Sequence, residues 1–212
     1  MGIEIRPARP DDVRFLAWAV VASARSHLPR GFWDLWIPDS DEARLVFVEK
    51  LLLSERPSLW HWTLFHVAEV DGSPAATLSG CDPSQLAIPD AAVAEAMAAS
   101  GWSEAEGAAA IARATPFFGC MHDPSPGAWI VESVATRPDA RGHGLAAALV
   151  EHVLALGRRR GHEQAQLSLM IGNAAAQRVY ERAGFAITDE KRDPALEIAI
   201  GCPGVAKMSC PL

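Results

Sequence analysis

Residues 137–146 read R-P-D-A-R-G-H-G-L-A, and this stretch decides the fold. The run before it, W-I-V-E-S-V-A-T at 129–136, is mostly apolar and of strand length. The residues after it put Leu145, Leu149, Val153 and Leu156 on one helical face. The stretch is therefore a strand-to-helix turn. Within it Arg141, Gly144 and Ala146 stand at the spacing R-x-x-G-x-A. Such a loop bares backbone N–H groups at a helix N-terminus, where the helix dipole adds positive character, and suits a phosphate or pyrophosphate. Gly142 and Gly144 let a ligand come closer than a Cβ would permit, and Arg141 adds a fixed positive charge. A plain surface turn with two glycines is the bland alternative.

A second stretch strengthens the first reading. Residues 173–185 read N-A-A-A-Q-R-V-Y-E-R-A-G-F, after a strand-like run at 166–171. Asn173 is a good N-cap, the alanines favour helix, and Gly184 suits the left-handed residue that ends one. Ala176, Tyr180 and Ala183 share one face at helical spacing. Tyr180 is the single tyrosine of the chain.

Together the two stretches resemble the GNAT family of N-acetyltransferases. The first is similar to that family's acyl-CoA pyrophosphate loop, R-x-x-G-x-G/A. The second is similar to its N-x-x-A-x-x-x-Y-x-x-x-G-F helix. The resemblance runs from about residue 129 to 185; the N-terminal half carries no motif of its own. Ala146 stands where many members have glycine, a change the pattern allows. The resemblance implies an α+β fold: a mixed, mostly antiparallel, twisted sheet of about seven strands flanked by helices. It implies one domain over 1–212. The segment before the central strand is unusually long, and a helical insertion is expected at 86–118.

Composition bounds the function. The chain has 212 residues, half of them hydrophobic, enough for a sizeable core. Its formal net charge of −7 argues against a nucleic-acid partner and mildly favours a cationic acceptor such as an amine. No apolar run reaches membrane length, and no secretory or lipidation signal is recognisable, so no membrane partner is expected. Cys81, Cys120, Cys202 and Cys210 form no C-x-x-C pair, in keeping with free thiols in a reduced, cytoplasmic protein. A homodimer is left open. His61, His66, His122, His143, His152 and His162 lack metal-ligand spacing, and no metal is expected.

The remaining chain reads as alternating elements. A strand is expected at 3–6, then a helix from Pro10-Asp11-Asp12 to about 26. Residues 27–38, containing G-F-W-D-L-W, read as an aromatic loop. Asp39 or Ser40 caps a helix ending before Pro57. A hairpin is expected over 62–70 and 75–79, around Asp71-Gly72. Helices follow at 91–99 and 104–114, joined through Gly101-Trp102-Ser103, and then a Pro- and Gly-rich loop over 116–127. The last strands are expected at 185–190 and 205–210, with a short helix near 194–200 between them.

Acetyl transfer defines what the candidate residues would have to do. An alkylamine of pKa about 10 must lose a proton before it attacks a thioester, and a thiolate whose thiol has pKa about 8.5 must leave. The resemblance implies that Tyr180 is the general acid for the thiolate, the alternative being a core tyrosine. It implies a base, direct or through water, at Glu132, a carboxylate in an apolar strand that alternation puts on one face with Val134 and Thr136. An exposed strand residue or an ion pair is the alternative there. It implies that backbone groups of Val134, Ala135 and Thr136 pair with the pantetheine arm of acetyl-CoA. Arg141, Gly142, His143, Gly144, Leu145 and Ala146 would hold the pyrophosphate, with Asn173 beside the arm or serving only as a cap. Trp33 and Trp36, with Trp60 and Trp62, are candidates for an acceptor pocket or for core packing. Arg158-Arg159-Arg160 reads as a solvated helix end or a phosphate contact.

Two functional classes follow. One is an acyl-CoA-dependent N-acyltransferase acting on a small-molecule or protein amine. The other is a non-catalytic acyl-CoA-binding regulatory module on the same fold. A nucleotide-binding protein of another fold is excluded, since G-x-x-x-x-G-K-[ST] is absent and R-G-H-G-L-A lacks a third glycine.

Overall fold

The computed structural model describes residues 2–55, 58–85 and 89–212. Among them, seven strands form one sheet in the order β1-β2-β3-β4-β5-β7-β6. The strands are β1 Ile3–Pro7, β2 Phe65–Val70, β3 Ser73–Cys81, β4 Trp129–Thr136, β5 Gln164–Met170, β6 Ala186–Arg192 and β7 Gly204–Pro211. Every neighbouring pair is antiparallel except β4 and β5, which run parallel. This is the mixed, mostly antiparallel sheet that the family resemblance implied.

The helices are α1 Val13–Arg25, α2 Phe32–Trp36, α3 Asp41–Leu52, α4 Pro89–Ala99, α5 Glu104–Cys120, α6 Leu145–Arg159, α7 Ala174–Arg182 and α8 Pro194–Ile200. They cover both faces of the sheet. On one face Leu16 and Val20 of α1, Val48 and Leu51 of α3 and Ala110 of α5 close over Phe65 and Val67 of β2. On the other, Leu149, Val150 and Val153 of α6 pack on Leu78, Trp129 and Met208. Strand alternation separates the two: Phe65 and Val67 face one layer, and Ala68, one residue on, faces the other.

Three local readings are corrected. The aromatic loop expected over 27–38 contains helix α2. Asp34, at its third position, accepts the Gly31 N–H at 2.9 Å, and Arg25 grips the same carboxylate at 2.7 and 2.9 Å. Gly31 is required there, because a Cβ would lie 2.1 Å from the Ala24 carbonyl oxygen. The loop expected from Pro116 is instead the end of α5, which continues through the proline to Cys120. Packing holds that last segment: Ala114 and Cys120 are buried, and Phe117 packs beside Leu196 and Val205. The third correction, in β4, lies in the site itself. Ser40 rather than Asp39 caps α3, accepting the Ala43 N–H at 3.1 Å. That helix ends at Leu52; Pro57, expected just beyond it, and residue 86, where the insertion was expected to begin, lie outside the described residues.

Candidate active site

The parallel ladder between β4 and β5 is short. Trp129 pairs with Ala165 and Ile130 with Gln166, and there the registered pairing stops. Beyond that point β4 stays on β3, with Thr136 opposite Ala76, while β5 stays on β7, with Met170 opposite Val205. The two halves of the sheet part, and a cavity of about 390 Å³ fills the gap. Val131–Thr136 of β4 wall one side and Leu167–Met170 of β5 the other. Backbone groups of β4 that would have met β5 are left to this space.

A bulge sharpens the opening. Two steps along β3, from Thr77 to Ser79, match three along β4, from Ala135 to Glu132. The extra residue is taken up at Ser133, whose φ is 55°. A left-handed non-glycine residue inside a strand costs about 1–3 kcal/mol and persists only where its surroundings hold it. The bulge also breaks the two-residue alternation, so the expected common face of Glu132, Val134 and Thr136 does not follow from strand parity.

Glu132 is partly buried and lines the cavity. Loss of water raises its carboxyl to about 7, although the Ser133 N–H bonds it and pulls the other way. Tyr180 reaches the same cavity from α7, with only 7% of its surface exposed and its ring edge-on to Phe185. Burial first, and the Glu132 charge second, raise its phenol, so it stays protonated at neutral pH.

Gly142 and Gly144, with φ of 83° and 76°, shape the loop before α6, and both places where a Cβ would stand open on free space. Gly144 is the N-cap of α6 and offers no side-chain acceptor to the first-turn N–H groups. That is the fit an anion needs. Arg141 is exposed and lines the cavity; Leu145 is buried, so only its backbone faces the loop. His143 Nδ1 lies 3.3 Å from the Ala140 carbonyl oxygen, which occupies the ring locally. Ala146 is half-buried in the first turn of α6. Asn173 caps α7, accepting the Ala176 N–H at 3.1 Å, and also lines the cavity.

The tryptophans divide. Trp33 and Trp60 line the cavity, but Trp36 is 4% exposed, stacked on Phe32 and Trp102, and contributes no cavity wall. Trp62 is likewise outside it. Arg160 lies over the Trp129 ring at 5.1 Å, at the end of α6 opposite the glycine loop. Sequence reasoning missed Phe32, Phe117, Phe118 and Met121, which also line the cavity. The F-F pair did follow Ala110 and Ala114 at helical spacing, but Pro116 masked that continuation.

Among the described residues no cluster of three His, Cys, Asp or Glu side chains could hold a metal ion, and no helix is long and apolar enough to cross a membrane.

The fold recurs in solved proteins. A structure described only as an acetyltransferase superposes with a TM-score of 0.71 at 17% identity, covering 98% of each chain. An N-acetyltransferase from Staphylococcus aureus Mu50 gives 0.64 at 17%, covering 99% of this chain and 100% of that one. The NatC complex bound to Gag peptide and CoA gives 0.53 at 17%, covering 100% and 99%. No curated protein matches the chain in sequence. The family model described as acetyltransferase (GNAT) family matches residues 30–185, which is most of the chain, and the protein belongs to that family.

Proposed function

We propose that the protein is an N-acetyltransferase that moves an acetyl group from acetyl-CoA directly to a primary amine. The observation that carries this reading is the convergence of Glu132 and Tyr180 on one cavity, with the glycine loop of α6 at its edge. A binding module needs the loop but has no use for a poised acid and base.

Acetyl-CoA would supply an activated acyl thioester. The first-turn N–H groups of α6 and Arg141 would hold its pyrophosphate. Val134, Ala135 and Thr136 would offer backbone partners to the amide-bearing arm along the unpaired side of β4. Glu132, with its carboxyl near 7, is ionised in about half of the molecules at neutral pH and can take the amine proton. The nitrogen–acyl bond then forms as the acyl–sulfur bond breaks. Tyr180, held neutral by burial, gives its proton to the leaving thiolate. Orientation in the walled gap supplies much of the remaining acceleration.

The test is thiol release from acetyl-CoA with a panel of amines, with the acetylated product identified by mass. Acetyl-CoA binding without release in any combination would favour the regulatory module.

A further inference from the structure

We propose that the acceptor is an arylalkylamine, a single primary amine on a short chain bearing an apolar ring, seated against an aromatic wall that α2 and the last turn of α5 build together. This rests on the transferase reading above and names its substrate class.

Phe32 is the hub of that wall. Its ring lies 5.1 Å from Phe117 and 5.6 Å from Phe118, both on α5, and 4.9 Å edge-on from Trp33. Trp33 in turn meets Trp60 edge-on at 5.7 Å. All five rings line the cavity. Offset and edge-on neighbours are the arrangements aromatic rings prefer, so a guest ring can join the set without disturbing it. Phe118 remains 47% exposed, an aromatic surface that a seated apolar group would take out of water.

The wall is built before any ligand arrives. Arg113 of α5 donates to the Leu35 and Trp36 carbonyl oxygens at 2.8 and 3.0 Å, tying α5 to the end of α2. Asp34 of α2 is locked in turn by Arg25 of α1 and by Arg44 of α3, at 2.7 and 3.1 Å. The helical segment between β3 and β4 therefore lends its final turn to the site.

Charge decides against other amines. Among the described lining residues Glu132 is the single carboxylate. It can meet one amine. A second ammonium, as in a polyamine or an aminoglycoside, would enter an aromatic enclosure with no counter-charge, which is strongly unfavourable. A peptide would press its backbone amides on rings that cannot bond them. The one ammonium of an arylalkylamine meets the same ring faces on entry but then reaches Glu132, the counter-charge that a second ammonium would lack.

The experiment compares 2-phenylethylamine, spermidine and an alanine-initiated tetrapeptide at saturating acetyl-CoA, by thiol release. 2-Phenylethylamine is expected to exceed the others in kcat/KM by about tenfold or more, the equivalent of one or two aromatic contacts. Phe118→Ala, at a surface position, should raise its KM about tenfold while the melting shift given by acetyl-CoA stays as in the wild type. A preference for spermidine or the peptide, an unchanged KM in Phe118→Ala, or acetyl-CoA binding with no acetylation of 2-phenylethylamine overturns the acceptor class and leaves family and fold standing. Absence of both acetyl-CoA binding and thiol release with every amine overturns the transferase reading, and this one with it.

Discussion

Asn173 Nδ2 donates to Ser26 Oγ at 2.6 Å, joining the N-cap of α7 to the residue that ends α1. The two are 147 positions apart in sequence. Ser26 has φ 59°, a backbone state uncommon outside glycine, and both residues line the cavity. One amide group thus caps a helix through its oxygen and steadies the opposite rim through its nitrogen. Asn173→Ala should cost about 1 kcal/mol or somewhat more, the usual loss for an N-cap. Asn173→Asp keeps the cap, and the Ser26 hydroxyl can turn to donate. Denaturant midpoints should therefore fall for alanine and hold for aspartate; an equal fall in both would deny the cap its part.

Glu132 ties activity to pH in a definite direction. Its folded-state pKa of about 7 lies above the ordinary carboxylate value, so the folded protein favours the protonated form. The stability this gives is complete below about pH 4.5 and is lost as pH rises through 7. Above pH 8, Glu132→Gln should thus be more stable than the wild type, by about 1–3 kcal/mol. The same variant should lose about a hundredfold or more in kcat, as expected for removal of a general base. The deficit should be largest above pH 7, where the wild-type carboxylate is charged, and should narrow near pH 10 as the amine deprotonates unaided. Paired melting and rate profiles from pH 5 to about 10 measure both effects. A glutamine variant that is neither stabilised nor slowed at pH 8 would remove Glu132 from the mechanism.

The glycine loop offers a direct check on the donor site. Gly144→Glu forces a side chain into a left-handed residue and sets a negative charge at the N-terminus of α6. Acetyl-CoA should raise the melting temperature of the wild type by linkage and leave the variant unmoved. An equal rise in both would place the pyrophosphate elsewhere. Circular dichroism separates this from simple misfolding.

Much of this site was legible because its signals are local. Gly142, Gly144, Asn173 and Gly184 announce turns and caps through their own conformational chemistry, and the apolar face of α6 repeats at 3.6 residues. The bulge at Ser133 carried no such mark. It arises from an inter-strand register, two residues of β3 against three of β4, and serine is not a residue that announces φ 55°. Helix α2 was hidden for a related reason. Five residues seldom hold a helix alone, and this one is held by Arg25, Arg44 and Arg113 from three other helices. Continuation through Pro116 is likewise tertiary, since local preference alone would end α5 there. Trp36 reads as pocket or core equally well from sequence, and only the position of α2 turned it inward.

Away from the cavity, His152 Nε2 lies 3.1 Å from His66 Nδ1 beneath α6. One ring must donate and the other accept, so the contact does not survive protonation of both rings. His66 is pushed down to about 4, by burial first and then by the positive charges of His152, Arg160 and Arg159. A depressed histidine favours the neutral folded form. Its contribution is complete above about pH 6.5 and is lost as pH falls towards 4. After allowance for solvent screening this is about 1–2 kcal/mol. His66→Gln should flatten the fall in stability between those pH values, read from urea midpoints. An unchanged slope would assign the acid sensitivity to other groups.

Tyr180 carries the last and most specific expectation. Seven positions beyond its cap, it stands on the buried face of α7 and lines the cavity that Glu132 enters from β4. Its phenol is raised by burial and by the nearby carboxylate, so it carries its proton throughout the working range. That is the state a general acid needs. Tyr180→Phe keeps the ring that packs on Phe185 and removes only the hydroxyl. Stability should change by no more than about 1 kcal/mol, the net worth of a neutral hydrogen bond. Acetyl-CoA affinity should hold for the same reason. kcat should fall by roughly ten- to a thousandfold when acyl transfer limits the rate. Donors with a more acidic leaving thiol should narrow the gap, because their thiolates leave with less help. Since Tyr180 is the single tyrosine, absorbance of the phenolate in the wild type follows this residue alone. A phenylalanine variant with undiminished kcat under those conditions would leave Tyr180 as a packing residue and send the proton by another route.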